Sequence, residues 1–167
     1  MTRDHSGRDL RGRDLSGADL RGADLRRADL TQADLTQADL RGACLAGASL
    51  VGADLTFARL SRCDLSDADL TAASLYCQIM QEVNFSGATM KRATMWGSDL
   101  TGSSMNHADL EDAVLDDATM VDVDLRGASL RGASLVGADL SRADLTGAIL
   151  IDTRLHFAVV DGAVGLP

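Results

Sequence analysis

The feature that most constrains this chain is an apolar residue at every fifth position. From Leu10 to Val160 this position is nearly always Leu, and Met, Phe85 or Val160 replaces it in the remaining repeats. Ala usually stands two residues earlier, Asp often lies between them, and Gly often follows two residues later. The unit is therefore Ala-Asp-Leu-X-X, and no insertion interrupts its phase. Such an internal repeat has to be explained first, because it determines the architecture.

A five-residue period does not fit one face of an α-helix or of a flat strand. Five helical residues advance by about 500°, so successive Leu side chains would cover every side of the helix. In a flat strand the side-chain period is two, so alternate Leu side chains would lie on opposite faces. The pattern instead predicts a short extended Ala-Asp-Leu segment, with Ala and Leu inward and Asp outward, followed by a two-residue corner. Gly at the second corner position favours a type II turn, which needs a positive φ there.

Corners that all bend in one sense produce a coil whose backbone groups can pair only with the coils above and below. This arrangement satisfies the backbone and defines a solenoid, so we predict an all-β parallel β-helix. One domain over residues 1–167 fits the length of 167 residues, the single Pro and the 3% aromatic content. The three cysteines lack a Cys-X-X-Cys pair or a nearby His cluster, so we expect free thiols, no metal site and no cofactor at Cys44, Cys63 and Cys77.

The repeat resembles that of the pentapeptide-repeat proteins, whose motif of Ala, Asp or Asn, Leu and two variable residues matches nearly all of the chain. The resemblance implies a right-handed quadrilateral parallel β-helix in which four repeats form each coil. About eight coils at a spacing of roughly 4.8 Å would make a rod roughly 40 Å long. Residues four repeats apart would then stack in columns.

Stacking in columns would place nearly all the aromatic residues outside the core along one edge. Exposed aromatic side chains are enriched at interface hot spots, which favours a partner-binding edge. Chance clustering and the shielding of a groove are the alternatives. The residues of this predicted edge are Phe57, Tyr76, Trp96, His156 and Phe157.

Charge is also unevenly distributed. Residues 101–125 contain seven acidic residues and no Lys or Arg, and they supply most of the formal net charge of -9. One interpretation is a solvated ladder of salt bridges that contributes little stability, with Lys91, Arg92 and Arg131 stacked beside the acids. The other is a negatively charged recognition band for a basic partner. This acidic band consists of Asp109, Glu111, Asp112, Asp116, Asp117, Asp122 and Asp124.

The regular outward Asp is interpreted mainly as structural. Stacked carboxylates such as Asp9 and Asp29 would lie about 5 Å apart, where two unit charges in water repel by only about 1 kcal/mol. Interleaved cations are expected to offset this repulsion, and they are Arg11, Arg21, Arg26, Arg27 and Arg41.

The repeat loosens in the middle of the chain and changes at its two ends. Between residues 76 and 105, polar or bulky residues replace inward Ala, which predicts a distortion or a bend; they are Gln78, Val83, Ser98 and Ser103. Arg8 and Arg13 occupy the Ala position near the start, and we expect them to cap the open end because they cannot remain buried unpaired. The apolar last coil predicts a tail-to-tail homodimer through Val159, Val160, Val164 and Leu166.

Several classes of function are disfavoured by this sequence. A convex rod filled by Leu and Ala has no pocket where a nucleophile and its base converge, so we expect no enzyme. Calcium-binding β-helices use a different, nonapeptide repeat. The acidic balance disfavours direct nucleic-acid binding. The absence of a bilayer-spanning apolar run or a signal-like start predicts a cytoplasmic protein that does not bind membranes.

Two classes of binding function remain. A subset of the family, the Qnr-like and MfpA-like proteins, are acidic dimeric rods that resemble duplex DNA in shape and charge, bind DNA gyrase and related topoisomerases, and protect them from inhibitors. The resemblance implies a candidate DNA mimic that alters sensitivity to such antibiotics, although this chain has Leu where that subset uses much Phe and has no loop insertion. The alternative is a protein interaction scaffold that uses the aromatic edge. Binding by a DNA mimic should weaken as the salt concentration rises, whereas binding by the aromatic edge should tolerate salt.

Overall fold

A computed structural model describes residues 4–166 as a continuous four-sided coil. With one exception, each outward residue forms a parallel bridge with the residue 20 positions later, from Asp4 with Asp24 to Asp144 with Val164. No helix or multi-residue strand occurs within the described residues. Each side is a three-residue segment with one bridging residue, and a two-residue turn follows it. In the first coil the sides are residues 8–10, 13–15, 18–20 and 23–25.

The corners are turns with a positive φ at their second residue. This φ ranges from 47° at Cys77 to 74° at Gly147 over all the corners between Gly7 and Gly162. Most corners are closed by a hydrogen bond from an inward N–H to the carbonyl oxygen of the preceding Leu, as from Ala33 to Leu30 at 2.9 Å. The type II turn is therefore confirmed. Gly is favoured but not required, because residues such as Gln32 adopt the same conformation.

The core is a stack of Leu and Ala side chains. From Leu25 to Leu145 the apolar residue at every fifth position is fully buried, and the inward Ala residues between Ala23 and Ala143 are at most 3% exposed. Four large side chains per coil leave little central volume, so the smaller inward position has to be Ala or a residue of similar size. This confirms the predicted inward orientation of Ala and Leu.

Polar residues at the inward Ala position beyond the first coil follow one rule. Each of these side chains donates a hydrogen bond to the carbonyl oxygen of the Leu or Met that opens the corner one coil earlier. Ser98 Oγ reaches the oxygen of Leu75 at 2.8 Å, and Ser103 Oγ reaches that of Met80 at 2.7 Å. Their buried hydroxyls are therefore satisfied. The other members of the set are Cys63, Gln78 and Thr153.

Gln78 marks an interruption of the backbone ladder. Its Nε2 donates to the Leu55 carbonyl, but its buried Oε1 has no hydrogen-bond partner. The bridge between Arg59 and Ile79 is missing, whereas the same column is bridged one coil before and one coil after. The side chain of Gln78 is longer than that of Ala, which accounts for the missing backbone hydrogen bonds between residues 57–60 and residues 76–79. The predicted distortion is thus confirmed at one side, and the 20-residue register continues beyond it.

We expect the amide protons at this interruption to exchange with solvent faster than their neighbours in the same column. The N–H groups of Phe57, Leu60 and Ile79 have no hydrogen-bond acceptor within the described residues, whereas those of Leu40 and Met80 donate to carbonyl oxygens at 2.9 and 2.7 Å. Local opening costs less free energy where such bonds are absent. Hydrogen exchange followed by NMR measures this difference, and equal protection of Leu60 and Leu40 would contradict the interruption.

The two ends differ in polarity, as the sequence predicts. Arg8 and Arg13 are exposed at the first coil, so neither charged side chain is buried in the core. In the last coil Val159, Val160 and Val164 are 40 to 51% exposed. Leu166 is partly buried against the end of the core.

Candidate partner-binding surface

The outward Asp residues stabilise the corners that follow them. Where Asp occupies the outward position, its Oδ1 accepts a hydrogen bond from the N–H two residues later, as Asp54 does from Thr56 at 2.9 Å. This is an Asx-turn, and it gives an N–H at the corner its partner. The sequence predicts that these Asp residues are structural. An Asp two residues before the corner N–H also indicates this bond, which was not predicted.

Arginine at the first corner position pairs with the Asp two residues earlier. Arg11 Nε and Nη2 contact the two carboxylate oxygens of Asp9 at 2.9 and 2.7 Å. The same geometry recurs at Arg21, Arg26 and Arg41, as predicted. The hydrogen bond from the Arg side chain is the main cause that lowers the pKa of Asp9, and likewise that of Asp24, to about 2. Arg27, which we also expected to offset the carboxylates, forms no ion pair within residues 4–166.

These pairs predict a loss of stability in acid. Because the pKa of Asp9 and Asp24 is about 2 in the folded rod and 3.8 ordinarily, their contribution is complete above pH 4 and is lost as the pH falls towards 2. We expect the melting temperature to fall over this window, modestly because both groups are solvent-exposed. Thermal unfolding at a series of pH values measures the slope. An equally steep slope in an Arg11→Gln, Arg26→Gln variant would contradict this assignment.

Cations that form ion pairs lie at three of the four corners of the rod. We name the Arg11 corner, the Arg21 corner and the Arg26 corner after residues 11–12, 21–22 and 26–27, together with the pairs that stack on each at intervals of 20. The Arg11 corner also contains Lys91, the Arg26 corner contains Arg126, and the Arg21 corner contains the set Arg41, Arg62 and Arg142.

The fourth corner carries the aromatic side chains and contains no Lys or Arg in any coil. The rings of Tyr76 and Trp96 lie next to each other in a tilted arrangement, with centroids 6.3 Å apart and planes inclined at 50°. Phe57 is 65% exposed, Tyr76 44% and Trp96 42%. We name this column the aromatic corner; it consists of residues 16–17, 36–37, 56–57, 76–77, 96–97, 116–117, 136–137 and 156–157.

The exposed apolar residues differ from the predicted edge in two ways: one residue is added, and the two residues nearest the C-terminus lie apart. Ile79, 62% exposed, follows Tyr76 on the next side and adds apolar surface that the sequence analysis missed. His156 and Phe157 lie on the same column but three coils beyond Trp96, roughly 14 Å along the rod. They are therefore a separate exposed group. The exposed large apolar residues in the middle of the rod are Phe57, Tyr76, Ile79 and Trp96.

The acidic band divides into paired and unpaired carboxylates. Lys91 Nζ contacts Glu111 at 2.7 Å and Asp109 at 3.1 Å. Asp122 pairs with Arg142 at 2.6 Å, and Asp124 pairs with Arg126 at 2.7 Å.

Three carboxylates of the band have no ion pair within the described chain: Asp112, Asp116 and Asp117. Arg92 and Arg131, which we expected to lie beside the acids, also form no ion pair among residues 4–166. Asp116 Oδ1 accepts hydrogen bonds from the Ser134 hydroxyl and from the N–H of Val136 at 3.0 Å. Two of the three unpaired carboxylates, Asp116 and Asp117, therefore lie on the aromatic corner, one coil beyond Trp96.

The described residues contain no other obvious reactive centre. Within residues 4–166, no group of three or more His, Cys, Asp or Glu side chains could hold a metal ion. No helix long and apolar enough to cross a membrane occurs there either. Cys63 is buried, and burial raises the pKa of its thiol to about 12, so it is a poor nucleophile.

The chain belongs to the pentapeptide-repeat family. The family model for pentapeptide repeats matches residues 14–50, 48–77, 79–117, 97–132 and 124–162. The fold is accordingly the right-handed quadrilateral β-helix of that family, with about eight coils. A search of curated proteins found no match.

Two solved structures illustrate the range of relatives. HetL from the cyanobacterium Nostoc sp. strain PCC 7120, a pentapeptide-repeat protein involved in the regulation of heterocyst differentiation, is 32% identical with a TM-score of 0.69. That match covers 96% of this chain and 76% of HetL. QnrB1, a plasmid-mediated fluoroquinolone resistance protein, is 20% identical with a TM-score of 0.55, and the match covers 98% of this chain and 89% of QnrB1. At that identity the likeness to QnrB1 concerns the fold.

Proposed function

We propose that this protein is a non-enzymatic interaction module that binds a protein partner through the aromatic corner. The observation that carries the proposal is the asymmetry of the four corners. Three of them hold cations paired with carboxylates, whereas the fourth presents Phe57, Tyr76 and Trp96 to solvent without a cation.

The apolar surface of these side chains is in contact with water, and its burial by a partner would lower the free energy. Tyr and Trp are enriched in the central residues of interfaces, where their burial supplies much of the binding energy. The N–H of Cys77 donates to the carbonyl oxygen of Trp96 at 3.0 Å, so the turns that carry Tyr76 and Trp96 are joined on the side away from the interrupted ladder. A partner therefore meets a preorganised surface and loses little entropy in ordering it.

A photo-crosslinking amino acid placed at each corner of one coil tests this proposal. Ser66, Thr71, Tyr76 and Gln81 occupy the same turn position at the four corners, so they differ only in the direction they face. In cells of the natural host, we expect a discrete protein adduct from position 76 and none from the matched positions 66, 71 and 81. Adducts from position 71 or 81 with none from position 76 would contradict the proposal.

Mimicry of DNA towards DNA gyrase is the second candidate function. It is supported by a column of stacked carboxylates beside the aromatic corner, because Asp14, Asp34 and Asp54 are bridged in sequence and form no ion pair within the described residues. With Asp116 and Asp117 they make this side of the rod negatively charged, as a mimic of a phosphate backbone would require.

A supercoiling assay with DNA gyrase, with and without a fluoroquinolone, tests this second candidate. A mimic would inhibit the enzyme or protect it from the drug, and this effect would be lost on neutralising Asp112, Asp116 and Asp117. Neutralising Asp122, which is already paired with Arg142, would have little effect. The absence of any effect at concentrations well above that of gyrase would rule the candidate out.

A tail-to-tail homodimer acting in the cytoplasm completes the proposal. Its support is the exposed apolar set in the last coil, namely Val159, Val160 and Val164, with Leu166 beside it. Burial of such a patch in a two-fold interface would remove it from water. Sedimentation equilibrium should give a dimer for the natural chain and a monomer for Val160→Glu, and a monomer for both would refute it.

A further inference from the structure

We propose that the partner segment bound at the aromatic corner carries an arginine side chain, which lies on the ring of Trp96 or Tyr76 and directs its charge towards Asp117. This inference rests on the function proposed above and specifies the chemistry of the partner. The segment belongs to a protein surface on which Arg is flanked by apolar residues.

The aromatic corner carries carboxylates but no cation of its own. In the column of the aromatic corner, Asp116 and Asp117 follow Trp96 one coil later, roughly 5 Å along the rod. No Lys or Arg occurs at this corner between Ser16 and Phe157. Every other corner supplies its own cation to nearby carboxylates. The missing positive charge is the one that a partner can contribute.

Asp117 is available to a cation from a partner. Its side chain is exposed, and within residues 4–166 it forms neither an ion pair nor a side-chain hydrogen bond. Asp116, in contrast, already accepts two hydrogen bonds from Ser134 and Val136. Asp117, whose side chain leans on Gly137 of the next coil, is therefore the carboxylate that can bind an incoming guanidinium without losing a hydrogen bond or an ion pair.

The two neighbouring rings of the aromatic corner are suited to binding a cation. Tyr76 and Trp96 are tilted against each other, so the pair presents ring surface to solvent instead of closing as a parallel stack. A cation within about 6 Å of a ring centroid is attracted to its face. The planar guanidinium of Arg stacks on aromatic rings and forms paired hydrogen bonds with a carboxylate, whereas a Lys ammonium offers only a point charge. Ile79 and Phe57 are placed to contact apolar residues beside such an Arg.

The single Trp of this chain provides a direct measurement. The probe is a short capped peptide in which Arg alternates with Leu, and its control replaces each Arg by citrulline, which has nearly the same shape but no charge. We expect a saturable change in Trp96 fluorescence on titration with the arginine peptide, and roughly five- to tenfold weaker binding of the citrulline peptide, because cation–π and ion-pair contacts are lost.

A pair of matched variants assigns the effect to this corner. Asp117 and Asp112 both have a left-handed backbone, with φ of 56° and 57°, and each lies against a Gly of the next coil. Asn tolerates this conformation, so both Asn variants should fold. We expect Asp117→Asn to weaken binding of the arginine peptide severalfold, and Asp112→Asn, at the Arg11 corner, to leave it unchanged.

The proposal is overturned by equal binding of the two peptides, by equal effects of the two variants, or by a fluorescence signal that does not saturate with either peptide. These outcomes are distinct from failure of the proposed function. An adduct at position 76 combined with no preference for arginine would preserve the binding surface and reject its cationic occupant. The absence of any adduct at position 76 would reject the binding surface itself.

Discussion

Truncating Phe85 to Ala is expected to lower the free energy of unfolding by about 3–5 kcal/mol, because it removes a fully buried aromatic side chain. Phe85 lies in the inward column between Leu65 and Met105, one coil away on each side. In a solenoid each coil packs only on its neighbours, so a cavity in the middle weakens the contact that holds the two halves together. The coil of Phe85 also contains Gln78, at the interrupted ladder.

Phe85→Leu is the matched control for this prediction. Leu fills the same inward position in most coils, so the change should cost less than about 1.5 kcal/mol. Urea unfolding followed by circular dichroism measures both variants against the natural chain. If Phe85→Ala were as stable as Phe85→Leu, the coils could collapse around the cavity, and the close packing of the core would be contradicted.

Replacing both Tyr76 and Trp96 with Ala is expected to lower the affinity for the cross-linked partner roughly 100-fold or more, since single central aromatic residues often contribute at least about 2 kcal/mol. Both side chains project from turns and are more than 40% exposed. The double variant should therefore keep its stability within about 0.5 kcal/mol. Calorimetric titration of the purified partner measures the loss.

Phe157→Ala provides the control for the loss of an exposed aromatic side chain. Phe157 is 88% exposed on the same column, but it lies three coils beyond Trp96. We expect its removal to leave the affinity unchanged. An equal loss in both variants would show that the partner binds along the whole corner, and no loss in the Tyr76, Trp96 variant would place the interface elsewhere.

The architecture could be predicted from the sequence because its period has few structural solutions. An apolar residue at every fifth position fixes the corners, and the observed register of 20 residues follows once four repeats form a coil. Even the distortion near Gln78 was visible as a polar residue at an Ala position. The extent of the distortion could not be predicted from the sequence, because the loss of the bridge between Arg59 and Ile79 depends on the conformation that the Gln78 side chain adopts in the core.

The binding surface could be predicted only in part. The column of aromatic residues follows from the register, but the pairing of each carboxylate depends on the reach of side chains from neighbouring coils. Lys91, for example, contacts both Asp109 and Glu111, whereas Arg92 beside it contacts neither. The sequence therefore suggested two competing surfaces, an acidic band and an aromatic edge. Asp116 and Asp117 share the column of Trp96, as the register predicts, and the structure adds that four of the seven acids of the band are paired with Lys91, Arg126 or Arg142.

An NMR footprint of the bound rod shows directly whether a partner binds at the aromatic corner. Amide signals of the isotopically labelled chain would be recorded with and without the purified partner. We expect the shifts to concentrate at Phe57, Cys77, Gly97 and Asp117, whereas the matched second corner residues Gly52, Ala72, Arg92 and Asp112 should stay unperturbed. Shifts concentrated at the Arg11 corner, or spread evenly over the four corners, would contradict binding at the aromatic corner.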